Sequence, residues 1–527
     1  MRFSAARPTM QLANIRPSRH TNETTGTHKR DTWVCLALVG SVFAFYMATI
    51  RPGQPWPDDF AMYIHEAKNL VQHIPLSQTG YIYNPYNPSL GPRLYPPLFP
   101  ILLSPAYAIS GLQSLELMKA EIICFFAGLL IVLWIHLGST LPLPSRAALV
   151  AIVGFSPVLW AYKDLIGSDI PFTFFFYATL ALADRLASYR LHGRTIWPTA
   201  LLAVLVYVCY GMRTMGIVLI PCLVALAFLK WQRNGRSLAI AAIGGAIPCL
   251  IQWKVFGGEA SYVDQLRLGA LGFAKVILRN IATYSWSLAT FWSTPGSHVL
   301  RNTLFFCLSV LALIAYFSRL RSGARIYELV FAGYLAIVLL WPNPAGERYL
   351  IPIFPLFVFY FLEGSASLAL RLRLRRTEFV LIPLLFLIAL SYGTEFAHAS
   401  YGPFTDGMSS PEAKQLFAFI RTETTPRDVI VFRRPRALSL YTDRSASVYP
   451  EPKYAQQFDS YFRGIGATYL VEAPALDDPD FDAFLEKPCP SKQLVFDNSE
   501  FRIFRLLPSA GKCGLDASAR ARSISRS

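Results

Sequence analysis

Two adjacent carboxylates, Asp58 and Asp59, stand in the run Pro57, Asp58, Asp59, Phe60, Ala61, Met62, Tyr63, eight residues beyond the first apolar stretch of the chain at 33–50. Neighbouring carboxylates repel each other, and holding both at a bilayer surface costs stability, so their retention points to chemistry on a membrane-delivered substrate. A helix over 60–72 puts Asp59, Tyr63 and Glu66 near one face, while Asp58 and His65, seven apart, fall together in projection. A carboxylate so placed takes a proton from an acceptor hydroxyl within hydrogen-bond reach, and its acidic neighbour raises one of the two pKa values. The plainer reading is that Asp58 caps a helix whose first turn holds Asp59. With His65 or Glu66 the pair also offers oxygen and nitrogen ligands to a divalent cation such as Mg or Mn, but the spacing matches no dedicated metal cage, so metal use is an open reading.

Other charges gather at junctions between apolar stretches. Lys163, Asp164, Ser168 and Asp169 mark one; Arg213 stands alone within Tyr210, Gly211, Met212, Arg213, Thr214, Met215, Gly216; and Glu347, Arg348 and Tyr349 follow Pro342, Asn343, Pro344, Ala345, Gly346. An arginine at the outer end of a span is suited to grip a phosphate at the bilayer surface. For each cation taken alone, snorkelling to the interface is the competing reading.

The elements that must position these groups are helices in lipid. In 527 residues, 53% are hydrophobic and only 16% charged, and the mean hydropathy is +0.37, which excludes a set of soluble domains. About eleven apolar stretches approach the ~20 residues of a crossing: 33–50, 116–137, 147–162, 169–184, 197–211, 215–229, 238–252, 299–318, 326–341, 349–369 and 378–394. The tail at 1–31 carries Arg2, Arg7, Arg16, Arg19, Lys29 and Arg30 ahead of what reads as a retained signal anchor. With that tail in the cytoplasm, the short inner loops hold fourteen Lys and Arg and no Asp or Glu, while the short outer loops hold only Lys163, Arg213 and Arg348. Much of the +16 formal charge is thereby accounted for without nucleic acid. The stretch 94–110 carries Pro96, Pro97, Pro100 and Pro105, and counting it as a crossing inverts every later loop, so it reads as an outer-surface or re-entrant helix.

Two outer loops are long, 51–115 and 253–298, and their aromatic residues suit an interface or the roof of a cavity. The membrane region, 32–395, gives way to a small α/β module at 396–510, with a helix starting at Ser410 and Pro411, strands near 429–432 and 468–471, a helix near 454–463 and a closing hairpin through Val495 and Ile503. The tail 511–527 reads as disordered. Six cysteines are ordinary fillers of spans; Cys489 and Cys513 fall in the outer module, where a disulfide between them is an open reading.

At this point the chain resembles the GT-C fold glycosyltransferases that use polyprenyl-phosphate sugars, a group including protein mannosyltransferases and the aminoarabinose transferases of lipid A. The resemblance rests on Asp58 and Asp59 just after the first span; on Tyr95, Pro96, Pro97 and Leu98; on Ser168, Asp169 and Pro171; on Arg213 and Gly216; and on Glu347, Arg348, Tyr349 and Leu350. It implies a sugar moved from a polyprenyl-phosphate donor to a hydroxyl of a glycan, lipid or protein on the extracytoplasmic face of a bacterial inner membrane, with inversion. By the same resemblance Asp58 is the base and Asp59 shares the work. Asp169 is a second acid of the cavity, Arg348 with Arg213 or Lys163 holds the donor phosphate, and Tyr349 and His65 contact substrate. The alternative is a lipid-linked sugar flippase or transporter without transferase activity, which predicts charges or broken helices near span centres rather than at span ends.

Overall fold

The computed structural model describes residues 21–188, 195–256, 270–373, 378–486 and 492–507. Cys489 and Cys513, most of the basic tail at 1–31 and the tail at 511–527 lie outside the described residues. Among the described residues, six helices are long and apolar enough to cross a membrane: Lys29–Ala48, Glu116–Thr140, Asp169–Ser188, Gly235–Val255, His298–Gly323 and Phe379–His398. The chain is a multi-pass membrane protein. The remaining expected stretches form shorter or interrupted helices. The stretch 147–162 breaks into Leu143–Gly154 and Pro157–Tyr162 because Pro157 lacks the N–H to continue a helix yet is well suited to begin one. The proline-rich stretch forms the helix Leu98–Ser110, with Pro97 at its cap and Pro100 in the first turn, where no intrahelical N–H bond is lost.

Two features place the charged junctions. The helix Ile196–Met212 ends at Arg213, whose backbone is extended, and a 3-10 turn, Thr214–Val218, reverses the chain. Gly216 makes that reversal: a Cβ there would lie 2.6 Å from backbone atoms of Cys209 and Tyr210. Arg348 sits on a second 3-10 turn, Gly346–Tyr349, which opens on Gly346 at a φ of +58°, a left-handed conformation that favours glycine. Elsewhere in the bundle Arg319, on the helix His298–Gly323, bridges Glu328 at 2.6 Å and Glu363 at 2.8 Å, and Arg325 pairs with Asp184 near the end of the helix Asp169–Ser188.

Outside the bundle lies a six-stranded sheet, β1 (Tyr81–Ile82), β2 (Val429–Val431), β3 (Ser445–Ser447), β4 (Ala467–Glu472), β5 (Lys492–Asp497) and β6 (Arg502–Leu506), in the order β1-β3-β2-β4-β6-β5. β1 to β4 are parallel where they pair, and β4, β6 and β5 are antiparallel. The helices Pro411–Glu423, Pro435–Thr442, Phe458–Gly464 and Pro479–Glu486 belong to the same C-terminal region.

The sheet crosses the boundary expected at 396, because its edge strand β1 comes from the loop 51–115. Tyr81 registers with Ala446 and Ile82 with Ser447, and the Asn84 and Asn87 amides donate to the carbonyls of Val448 at 2.8 Å and Tyr449 at 2.9 Å. Trp56 from the same loop packs edge-on against Phe417, Phe432 and Phe501. The sheet is therefore built from two distant parts of the chain.

Candidate functional site

The acid-bearing helix runs Asp59–Val71, with Asp58 at its N-cap position. The Asp58 side chain makes no capping bond to that helix. It turns instead to the start of another one, Pro435–Thr442, where its two oxygens accept from the Arg436 N–H at 3.2 Å and the Ala437 N–H at 3.0 Å. These are the orphan amides a cap residue satisfies, here supplied from 378 residues away in the chain. Asp58 is 4% exposed, and burial pushes its carboxyl up to about 6, against the pull of Arg436 and the two amides. Both of its oxygens are engaged by the helix Pro435–Thr442, and Asp58 is not among the residues that wall the cavity beside Asp59.

Asp59, one residue on, points the other way, into a cavity of about 710 Å³ whose wall also includes Tyr63, Tyr95, Arg213, Arg348 and Tyr349. Arg348 Nη1 donates to Asp59 Oδ2, while Arg436 Nη1 reaches Oδ1 at 3.2 Å and Tyr95 Oη donates to Oδ1 at 2.5 Å. Burial acts to raise the Asp59 pKa, but Arg348, Arg436 and the Tyr95 hydroxyl together hold it below the usual carboxylate range. Arg348 Nε also reaches both oxygens of Asp169 at 3.1 Å, and Arg213 Nη1 donates to Asp169 Oδ1. Asp169 opens the helix Asp169–Ser188, where the positive end of the helix dipole favours a carboxylate. The cluster thus sets three guanidiniums against two carboxylates, one positive charge in excess.

Of the residues expected from the sequence, the fold brings Asp59, Asp169, Arg213, Arg348 and Tyr349 together. Lys163 is elsewhere: its ammonium is fully buried, 2.5 Å from Asp164 Oδ2 and 4.2 Å from the Trp160 ring centroid. Asp164 in turn accepts from the Arg51 N–H at 3.0 Å, so this pair fastens the start of the loop 51–115. His65 is buried on a face of its helix near Lys68 and Asp443 and does not line the cavity; burial, reinforced by Lys68, lowers it to about 4. Glu66 uses Oε1 to accept the Tyr95 N–H at 2.9 Å, and burial raises its carboxyl well above the ordinary value. Among the described residues, no three His, Cys, Asp or Glu side chains converge to hold a metal ion.

Sequence reasoning missed Arg436. It is 1% exposed, and besides Asp59 it donates to Tyr95 Oη at 2.5 Å and to the Pro92 carbonyl at 2.9 Å, with its guanidinium 4.8 Å from the ring centroids of Tyr81 and Tyr95. In the sequence it belongs to Arg433, Arg434, Pro435, Arg436, which looks like a solvated basic turn. The helix-opening proline is the only local hint that the chain turns inward there.

A second cavity, of about 270 Å³, is walled by Tyr284, Phe305, Leu350, Phe354 and Phe357 among others. The two are neighbours along the chain: Leu340 and Tyr349 line the first, Leu339 and Leu350 the second.

No protein-family model matches the chain, and no curated protein is recognisably similar to it in sequence. Solved structures are similar to it in fold. The archaeal oligosaccharyltransferase AglB from Archaeoglobus fulgidus, in complex with an inhibitory peptide and a dolichol-phosphate, superposes with a TM-score of 0.53 at 12% identity, over 83% of this chain and 69% of that one. ArnT from Cupriavidus metallidurans, bound to undecaprenyl phosphate, does so with a TM-score of 0.50 at 11% identity, over 93% of this chain and 99% of that one. The protein therefore has the GT-C fold of these membrane glycosyltransferases.

Proposed function

We propose that the protein is a membrane glycosyltransferase that moves a sugar from a polyprenyl-phosphate donor to an acceptor hydroxyl, with Asp59 as the base. One observation carries the reading: Asp59, Asp169, Arg213 and Arg348 form a single ion network at a cavity whose remaining wall is mostly apolar, with Met215, Ile217, Ile337 and Leu340 among its residues. A lipid-phosphate sugar has that same division, a charged head and a hydrocarbon tail. Its phosphodiester would be met by Arg348 and Arg213.

In the resting network Asp59 is a poor base, because Arg348 and Arg436 hold its proton affinity down. A phosphate entering the cavity competes for Arg348, which is 25% exposed on its side chain and shared between two carboxylates. As Arg348 turns to the phosphate, Asp59 Oδ2 is released and its basicity rises. The acceptor hydroxyl then attacks the anomeric carbon, its proton passes to Oδ2, and the bond from that carbon to the phosphate oxygen breaks. The electron pair leaves with the polyprenyl phosphate, whose growing charge is held by Arg348 and Arg213. Attack from the face opposite the leaving group inverts the anomeric centre. Eleven crossings, an inner N-terminus and an outer catalytic face complete the reading, supported by the distribution of Lys and Arg among the short loops.

Purified protein in vesicles, given a panel of undecaprenyl-phosphate hexoses and pentoses with glycolipid and glycan acceptors, tests it. The expected result is free undecaprenyl phosphate together with a new glycosidic product. Movement of lipid-linked sugar between leaflets with no glycoside formed would replace the transferase by a flippase. Mass spectra of lipid-linked sugars from cells with and without the protein would then identify the donor that accumulates.

A further inference from the structure

Resting on the transfer reading above, we propose that Arg436 is a positioning residue supplied by the outer module: it keeps Asp59 aimed at the acceptor after the lipid phosphate has drawn Arg348 away, and Asp58 is the fastener that seats it. The two arginines hold opposite oxygens of Asp59, Arg348 on Oδ2 and Arg436 on Oδ1. Their settings differ. Arg348 lies on a short turn, lines the cavity and divides its bonds between Asp59 and Asp169. Arg436 is sealed from solvent and fixed by Tyr95, the Pro92 carbonyl and two aromatic faces. A buried guanidinium with that many directed partners is an anchor, whereas a partly exposed one that bridges two acids is exchangeable.

The bonding leaves a defined division of labour on one carboxylate. Oδ1 is occupied by Arg436 and by the Tyr95 hydroxyl, so Oδ2 alone is freed when Arg348 leaves and is the oxygen that receives the acceptor proton. Tyr95 is itself held from behind by Glu66 through its N–H. Arg436 reaches this point because its helix begins there, and Asp58 caps that beginning from the membrane half of the chain. The acid pair thus has two roles: one member docks the outer module, and the other is held by what that module brings.

Carboxyl footprinting tests this on full-length protein in nanodiscs, using a carbodiimide with glycine ethyl ester, with and without undecaprenyl phosphate. In Arg436→Met, added undecaprenyl phosphate should raise modification of Asp59 several-fold over the wild-type response. With the undecaprenyl-phosphate sugar panel, kcat should fall about 100-fold, as expected for a displaced reacting group, while the donor KM stays within about twofold. The acidic limb of the kcat profile should also move to higher pH, because Asp59 has lost a cation. Arg436→Lys, which keeps the charge but not the second bond, should fall between, and it carries the test if the methionine variant does not fold. Unchanged footprinting with kcat within about threefold of wild type would overturn the proposal, as would a raised KM at unchanged kcat, which would make Arg436 a phosphate ligand. If the wild-type protein releases undecaprenyl phosphate from no sugar, the transferase reading fails, and the footprint alone still decides whether Arg436 holds Asp59.

Discussion

Asparagine replacements at the two adjacent acids should separate sharply. Asp59→Asn removes the proton acceptor, and the loss of a positioned general base lowers kcat by about 10² to 10⁴-fold. It also frees Arg348 from one competing carboxylate, so undecaprenyl phosphate should bind at least as tightly as before. Asp58→Asn keeps one acceptor oxygen for the helix Pro435–Thr442 and loses the other, a change of about 1 kcal/mol. Against that stands the burial of the ionised acid: raising its pKa from 3.8 to about 6 means the charged form is disfavoured in the folded protein by about 3 kcal/mol. The two contributions offset only in part, so the variant should be more stable than wild type at pH 7 by about 2 kcal/mol, and kcat should stay within about fivefold of wild type. The sign also gives a pH signature. A carboxyl raised on folding adds stability that is fully present below pH 3.8 and is lost as pH rises through about 6. Asparagine abolishes that slope. Thermal unfolding of both variants between pH 4 and 7, beside turnover of undecaprenyl-phosphate sugars, is the assay. An inactive, normally folded Asp58→Asn beside an active Asp59→Asn would refute the assignment.

Further expectations follow from the same contacts. Arg348→Met should weaken undecaprenyl phosphate binding about 10 to 100-fold, the loss of a charge-assisted bond worth about 1.5–3 kcal/mol, as read by titration in nanodiscs. Lys163→Met should leave that binding unchanged while lowering the melting temperature, because removing one partner of a buried ion pair costs about 3–5 kcal/mol. Glu66→Gln should preserve both turnover and stability, since burial favours the neutral carboxyl and the amide keeps an acceptor oxygen for the Tyr95 N–H; Glu66→Ala should fail in turnover through Tyr95. His65, lowered to about 4, opposes Asp58: it withdraws stability as pH falls from 6.5 towards 4, so His65→Leu should leave a protein that gains stability on acidification over that window, measured by thermal unfolding.

The sequence made the helical half of this arrangement readable because charge and apolar period carry it. Arg213, Asp169 and Arg348 interrupt long apolar stretches, and a charge in such a place must find either water or a partner. That logic fails for Lys163, which has the same sequence setting but satisfies it with its immediate neighbour, Asp164. The helical face of Asp59, Tyr63 and Glu66 was also legible, whereas the choice between Asp58 and Asp59 was not. Adjacent residues diverge in direction, and which one meets the cavity depends on a helix 378 positions away. β1 has two residues and β3 three, too short for any periodic signal, so the strand that joins the loop to the outer module could not be seen.

The pairing of β1 with β3 has a consequence for how the protein is made. Ile82 emerges from the ribosome 365 residues before Ser447, whose hydroxyl it accepts. At about 5–20 residues per second, the first loop waits some 20 to 70 s for the partner that completes its sheet. Throughout that interval Asp59 has no Arg436 and the newborn helices hold an unfinished cavity. On the proposed reading, the reacting carboxylate meets its second arginine only after Arg436 has been made, and a chain stopped before that point is expected to insert without gaining activity.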